Sequence, residues 1–170
     1  MRTIHLNTLK EGIPGITVAI GAFLAEAAAY CLEIQGHKSG VILHVTGDYE
    51  AKFSLKWSEN IDDSVKKAWA DEKEATEYGA TAIALLLIDE LTDFVISKRL
   101  RQGERADYFL QKKEHLNILS SQAILEVSGI FEEKKGNTIN MRIGVKKANI
   151  DKEKMSFLYF GRPDLDKTFK

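Results

Sequence analysis

The sequence predicts one mixed α+β domain, in which a helix and a β-hairpin precede an αβββαβ core. Three observations predict it. The chain has 170 residues, and a single domain typically runs to about 100–200. Apolar residues alternate on both sides of Gly47-Asp48, which is the pattern of a half-buried hairpin. A helical period over residues 61–91 gives way to alternation after Leu91. No repeat, low-complexity stretch or long linker divides the chain. Residues 1–60 read as an N-terminal helix plus hairpin, 61–160 as the core and 161–170 as a loose tail.

Each element has a local cause. Residues 3–9 alternate weakly through Ile4 and Leu6 and give a short strand; Gly12-Ile13-Pro14-Gly15 breaks it. A helix follows over 17–34, rich in small residues (Ala19, Ala22, Ala25, Ala27, Ala28, Ala29), and the glycines of 36–40 stop it. In the hairpin, Val41, Leu43 and Val45 face inward with Ala51, Phe53, Leu55 and Trp57, while His44, Lys52, Ser54 and Lys56 face water. Asn60 or Asp62 caps a long helix reaching about residue 91. Its last turns, from Ala82 to Ile88, are apolar on nearly every face and belong in the core. Strands are expected from Phe94 to about Arg101, over 106–111 and over 123–130, with a turn at 102–105 and a polar loop over 112–121. Asn137 or Thr138 caps a helix to about 149, and the apolar run 155–160 is a buried strand.

Composition narrows the function classes. Hydrophobic residues make up 44% and charged ones 29%, which excludes a disordered or largely membrane-embedded chain. The charge-free run 13–25 falls short of the ~20 residues a membrane helix needs and continues into a helical pattern. It is expected as a buried helix and not as a cleaved leader, with the protein in the cytoplasm and off the membrane. One cysteine, Cys31, allows no intrachain disulfide and no cysteine-based zinc site. His5, His37, His44 and His115 stand at no metal-ligand spacing, and neither GxGxxG, GxSxG nor a G-K-[ST] phosphate loop occurs.

Two carboxylates stand out because each interrupts an apolar strand: Asp107 in A-D-Y-F-L and Glu126 in I-L-E-V. A charge there costs several kcal/mol, on the order of what an unpaired buried ion loses, unless it is paired or binds a metal. Two such groups on adjacent strands repel, and a shared hard cation relieves the repulsion. Mg²⁺ suits one or two protein carboxylates plus water. The plainer alternatives are a solvent-facing Asp107 beside Arg105 and a Glu126 paired with Arg99 or Arg101.

The strand order and the placement of these carboxylates resemble the core of the restriction-endonuclease-like, or PD-(D/E)xK, nuclease superfamily. The resemblance covers about residues 61–160. It implies a Mg²⁺- or Mn²⁺-dependent nuclease in which Asp107 and Glu126 hold the metal, the main-chain carbonyl of Val127 is a third ligand and Glu77 is the occasional helical acidic ligand. The third motif position holds Ser128 in place of lysine (E-V-S), and Ala106 stands where a proline is usual. The resemblance then implies a lysine relocated to the following helix, Lys146 or its neighbour Lys147. The strings E-Y-G-A, A-D-Y and L-E-V-S-G are also similar to those of an uncharacterised bacterial protein family. Two functions are therefore expected: a phosphodiesterase acting on nucleic acid, or a degenerate, non-enzymatic interaction or regulatory protein on the same scaffold.

Charge is unevenly spread although the formal total is −1. Segment 98–113 has six basic and two acidic residues, segment 134–154 seven and two, and segment 59–90 three and nine. Basic segments on either side of the proposed site are what a nucleic-acid backbone would meet. They equally suit a solvated sheet edge. A homodimer through the Ala-rich helix is compatible with either function.

Overall fold

A computed structural model describes residues 1–47, 49–101, 106–115, 123–132, 135–138, 140–142 and 144–145, together with the strand pairs Ser156–Phe157 and Asp164–Leu165. Helices and strands are mixed, in two four-stranded sheets. The turn at 102–105 with Arg105, most of the loop 112–121, the end of the helix expected to 149 with Lys146 and Lys147, and most of 155–160 lie outside the described residues.

The first sheet has the order β1-β3-β2-β8. Strand β1 (Arg2–His5) runs parallel to β3 (Ala51–Lys56), which pairs antiparallel with β2 (Val41–Val45). The hairpin register sets Leu43 opposite Phe53 and Val41 opposite Leu55. Leu43, Val45, Phe53, Leu55 and Trp57 are buried while Lys52 and Lys56 are exposed, as the alternation requires. The last element, β8 (Asp164–Leu165), pairs with β2 and sets Leu165 opposite Leu43, so part of the expected loose tail is a strand. The outer side of β2 offers unpaired backbone groups there, which a second strand satisfies.

Helix α1 (Asn7–Lys10) is a single turn between β1 and α2 (Val18–Ile34). The Thr17 side chain caps α2 by accepting from the Ile20 N–H. The Ala-rich face of α2 packs within the chain: a methyl on Gly79 would stand 3.3 Å from the Ala28 Cα and 3.4 Å from the Ala27 carbonyl oxygen. That face is thus covered by α4 (Glu72–Leu91) and is not the surface expected to meet a second copy. Small residues permit this backbone approach, and the two helices form the middle of one core that also takes side chains from both sheets.

One long helix was expected over 61–91, and the chain forms two. Helix α3 (Asp63–Ala68) starts at Asp62, whose carboxylate accepts from the Ser64 and Val65 N–H groups, and α4 (Glu72–Leu91) starts at Asp71, which accepts from Lys73 and Glu74. The break turns Trp69 inward. Its ring meets Phe23 at 4.8 Å, and its indole N–H donates to Glu26 at 2.9 Å. An aromatic anchor and a second acidic cap outweigh a continuous helical period. No described helix is long and apolar enough to cross a membrane.

The second sheet has the order β4-β5-β6-β7: β4 (Phe94–Arg99), β5 (Tyr108–Lys112) and β6 (Ala123–Leu125) are antiparallel, and β7 (Ser156–Phe157) runs parallel to β6. Gly15, at φ +86°, lies so close to the Ile96 carbonyl that no side chain fits between them, which seats the 12–16 turn against β4. Strand β6 ends at Leu125 and does not run on to residue 130. After it the chain leaves the ladder and closes on α4, where a methyl on Gly129 would stand 2.6 Å from the Thr76 carbonyl oxygen and 2.9 Å from the Ala80 Cβ.

Cys31 lies at the α2–α4 contact, where burial pushes its thiol up to about 11, opposed by a hydrogen bond with Thr76 and reinforced by the Glu72 charge. A raised thiol pKa means that the folded protein prefers the protonated form. Its contribution to stability is complete below the unfolded value near 9.0 and disappears as pH rises toward 11. Alkylation of Cys31 by iodoacetamide at pH 8 is therefore expected to be much slower in the native than in the denatured protein, the difference narrowing above pH 10. Equal rates at pH 8 would show an accessible thiolate instead.

Candidate functional site at the ends of β5 and β6

Asp107 immediately precedes β5 and is held through its main chain from both sides. Its N–H donates to the Leu125 carbonyl at 3.0 Å, and its carbonyl accepts from the Leu100 N–H at 2.8 Å. Its side chain is fixed as well: Oδ2 accepts from the Val127 N–H at 2.6 Å. A short bond of an amide to a carboxylate is charge-assisted and roughly twice as strong as a neutral one. The half-buried Asp107 thereby satisfies the first amide but one after β6.

The ladder pairs Tyr108 with Leu125, Phe109 with Ile124 and Leu110 with Ala123. The ladder ends at the Tyr108–Leu125 pair, and the Asp107 N–H bond to the Leu125 carbonyl falls out of that register; Asp107 and Glu126, which is also half-buried, are the residues that flank this last pair. Val127 presents its N–H to Asp107; the resemblance had assigned a role to its carbonyl. Beside Asp107, Tyr108 is buried and pairs across the sheet with Arg99. Burial pushes the Tyr108 hydroxyl above its ordinary value; Arg99 lowers it, and Asp107 and Tyr78 raise it. The phenol stays protonated at neutral pH. Comparison of the chain with protein-family models, with curated proteins and with solved structures finds no match.

Glu77 stands apart. It is exposed on α4, and the residues of that helix that meet the chain after β6 are its neighbours Thr76 and Ala80. Among the described residues no three His, Cys, Asp or Glu side chains form a group able to hold a metal ion, so Asp107, Glu126 and Glu77 do not constitute one. Two carboxylates nevertheless match Mg²⁺ in number and hardness, because that ion keeps several waters and takes one or two protein carboxylates. The helical face of Glu77 is set by α4 packing on α2, which leaves its side chain toward water.

A residue without any sequence signal completes the arrangement. Thr138 starts a helical turn, its carbonyl accepting from the Arg142 N–H at 3.1 Å and its hydroxyl from the Met141 N–H at 3.4 Å. From that turn the Arg142 guanidinium reaches back to the chain after β6. Its Nη1 donates to Ser128 Oγ at 3.1 Å and to the Gly129 carbonyl at 2.8 Å, and its Nε donates to Asn137 Oδ1 at 2.8 Å. A contact spanning fourteen residues and a loop carries no periodicity, so only the fold discloses it. Lys146 and Lys147 lie outside the described residues.

The basic segments are only partly free of counter-charge. Lys113 meets Asp89 at 3.4 Å and Lys112 meets Glu114 at 3.8 Å, both exposed and weak. Lys98 and Arg99 are exposed on β4. Of the basic residues in 134–154, Lys135 and Arg142 are the described ones.

Proposed function

We propose that the chain is a metal-dependent phosphodiesterase of nucleic acid, built on a restriction-endonuclease-like core and working in the cytoplasm. One observation supports it most. The order α4-β4-β5-β6, helical residues at 140–142 and 144–145 and then β7 parallel to β6 is accompanied by Asp107 and Glu126 at adjoining strand ends, one on each side of the last ladder pair, Tyr108 and Leu125. In this reading Asp107 and Glu126 hold Mg²⁺ or Mn²⁺. A bound divalent ion supplies Lewis acidity and a lower water pKa. The Val127 amide fixes the orientation of the Asp107 carboxylate before any ligand arrives, and Asp107 keeps its second oxygen for it.

A different observation favours a non-enzymatic interaction or regulatory protein on this scaffold: the bond from Val127 to Asp107 by itself accounts for a half-buried carboxylate at that place. Mn²⁺ titration followed by amide NMR separates the two. The nuclease reading expects paramagnetic broadening first at the amides of Asp107 and residues 126–128, and Mg²⁺-dependent nicking of DNA or RNA that EDTA stops. Broadening confined to the acidic segment 59–90, with no cleavage, would leave the interaction protein standing.

A further inference from the structure

We propose that Arg142 is the phosphate-binding residue of this site, its outer guanidinium nitrogen receiving a backbone phosphate oxygen of a nucleic-acid strand. The inference rests on the reading of Asp107 and Glu126 as the reactive centre for its location, and on its own bonds for its chemistry. A guanidinium has five N–H donors in a rigid plane. Three are engaged, one from Nε to Asn137 and two from Nη1 to Ser128 and Gly129, and every acceptor is a neutral oxygen. Among the described residues no carboxylate pairs with Arg142, and Nη2 has no protein acceptor.

That combination differs from a structural ion pair. A half-buried cation normally lies against an anion, since desolvating an unpaired charge is costly. Here the full positive charge is kept while the side chain is already ordered, so a ligand need not bear the entropy of fixing it. The two hydrogens left on Nη2 are charged donors, and an anionic phosphate oxygen is the acceptor that such donors hold most strongly. The location follows from chain geometry: Ser128 is two residues after Glu126, and consecutive Cα atoms are about 3.8 Å apart, so Arg142 is tied to a point no more than about 8 Å along the chain from Glu126.

The test is binding of fluorescein-labelled single- and double-stranded oligonucleotides in EDTA, where cleavage cannot interfere, as a function of salt. Arg142→Gln is expected to weaken binding about tenfold, uniformly across sequences, and to lower the salt slope by about one. Arg142→Lys is expected to keep the slope and lose part of the affinity, because a lysine carries the charge but cannot bond Asn137, Ser128 and Gly129 while holding a donor toward the phosphate. Because Arg142→Gln also loosens the turn, a wild-type measurement stands beside it: the Arg142 Nε–H resonance is expected to shift as oligonucleotide is added. Wild-type affinity and slope in Arg142→Gln, or an unmoved Nε–H resonance, overturns the inference. Cleavage by the wild type together with either of those results removes Arg142 alone and leaves the carboxylate reading in place. Absence of Mg²⁺-dependent cleavage with the expected loss in EDTA sinks the carboxylate reading and supports the phosphate contact.

Discussion

Asp107→Asn is expected to lower Mg²⁺-dependent cleavage by about 10³-fold or more while the protein keeps its fold, and Asp107→Ala to lose both cleavage and stability. The two outcomes separate the two roles of one side chain. Asparagine is nearly isosteric and can still offer an amide oxygen to the Val127 N–H, which now donates to Oδ2 at 2.6 Å, but it has no charge with which to hold a cation. Losing several kcal/mol of transition-state stabilisation corresponds to roughly three powers of ten, at about 1.36 kcal/mol for each. Alanine removes the acceptor altogether, and a half-buried amide left without a partner costs about 1–3 kcal/mol. Glu126→Gln should resemble Asp107→Asn in cleavage. A gel assay of nicking with thermal unfolding of each variant provides both readouts. Wild-type cleavage by Asp107→Asn would remove the proposed chemistry, and an unchanged melting temperature for Asp107→Ala would remove the structural role of the Val127 bond.

How far the sequence carried these conclusions depended on the range of the force involved. The hairpin was legible because alternate burial is a property of neighbours: Leu43, Phe53 and Leu55 announce their face without reference to the rest of the chain. Helix α2 was legible for the same reason. The division of 61–91 was not, because Trp69 fits the helical period and shows its real role only where Phe23 and Glu26 are brought to it. Strand β6 was read too long, since the apolar run continues past Leu125, whereas the backbone is drawn away where Gly129 meets Thr76 and Ala80. Asp107 and Glu126 could be singled out from their cost in apolar surroundings. The Val127 amide and Arg142 could not, because a backbone donor is the same in every residue and a surface-like arginine is ordinary until its acceptors are known.

Gly21→Ala is expected to leave most molecules unfolded, a large loss of stability from so small a change. Local preference points the other way: alanine is favoured over glycine inside a helix by about 1 kcal/mol, and Gly21 is in the first turns of α2. The surroundings decide. A methyl built on Gly21 overlaps the carbonyl group of Leu9, which is main chain and cannot rotate aside, and Leu9 is itself fully buried. Relief requires α1 to lift from α2, carrying Leu6 and Leu9 out of the core. Overpacking that forces side-chain and backbone shifts typically costs about 1–3 kcal/mol; displacing two buried leucines adds about 1.5–3 kcal/mol for each one exposed. A domain stable by about 5–15 kcal/mol does not easily survive that. Gly36→Ala is the matching control, since nothing lies within 4 Å of the added methyl and only its φ of +81° opposes the change, a cost of about 1–2 kcal/mol. Urea denaturation of both variants tests the comparison. If Gly21→Ala unfolds at the same urea concentration as Gly36→Ala, α1 is not clamped to α2 by this contact, and the N-terminal turn is a loosely held attachment to the core.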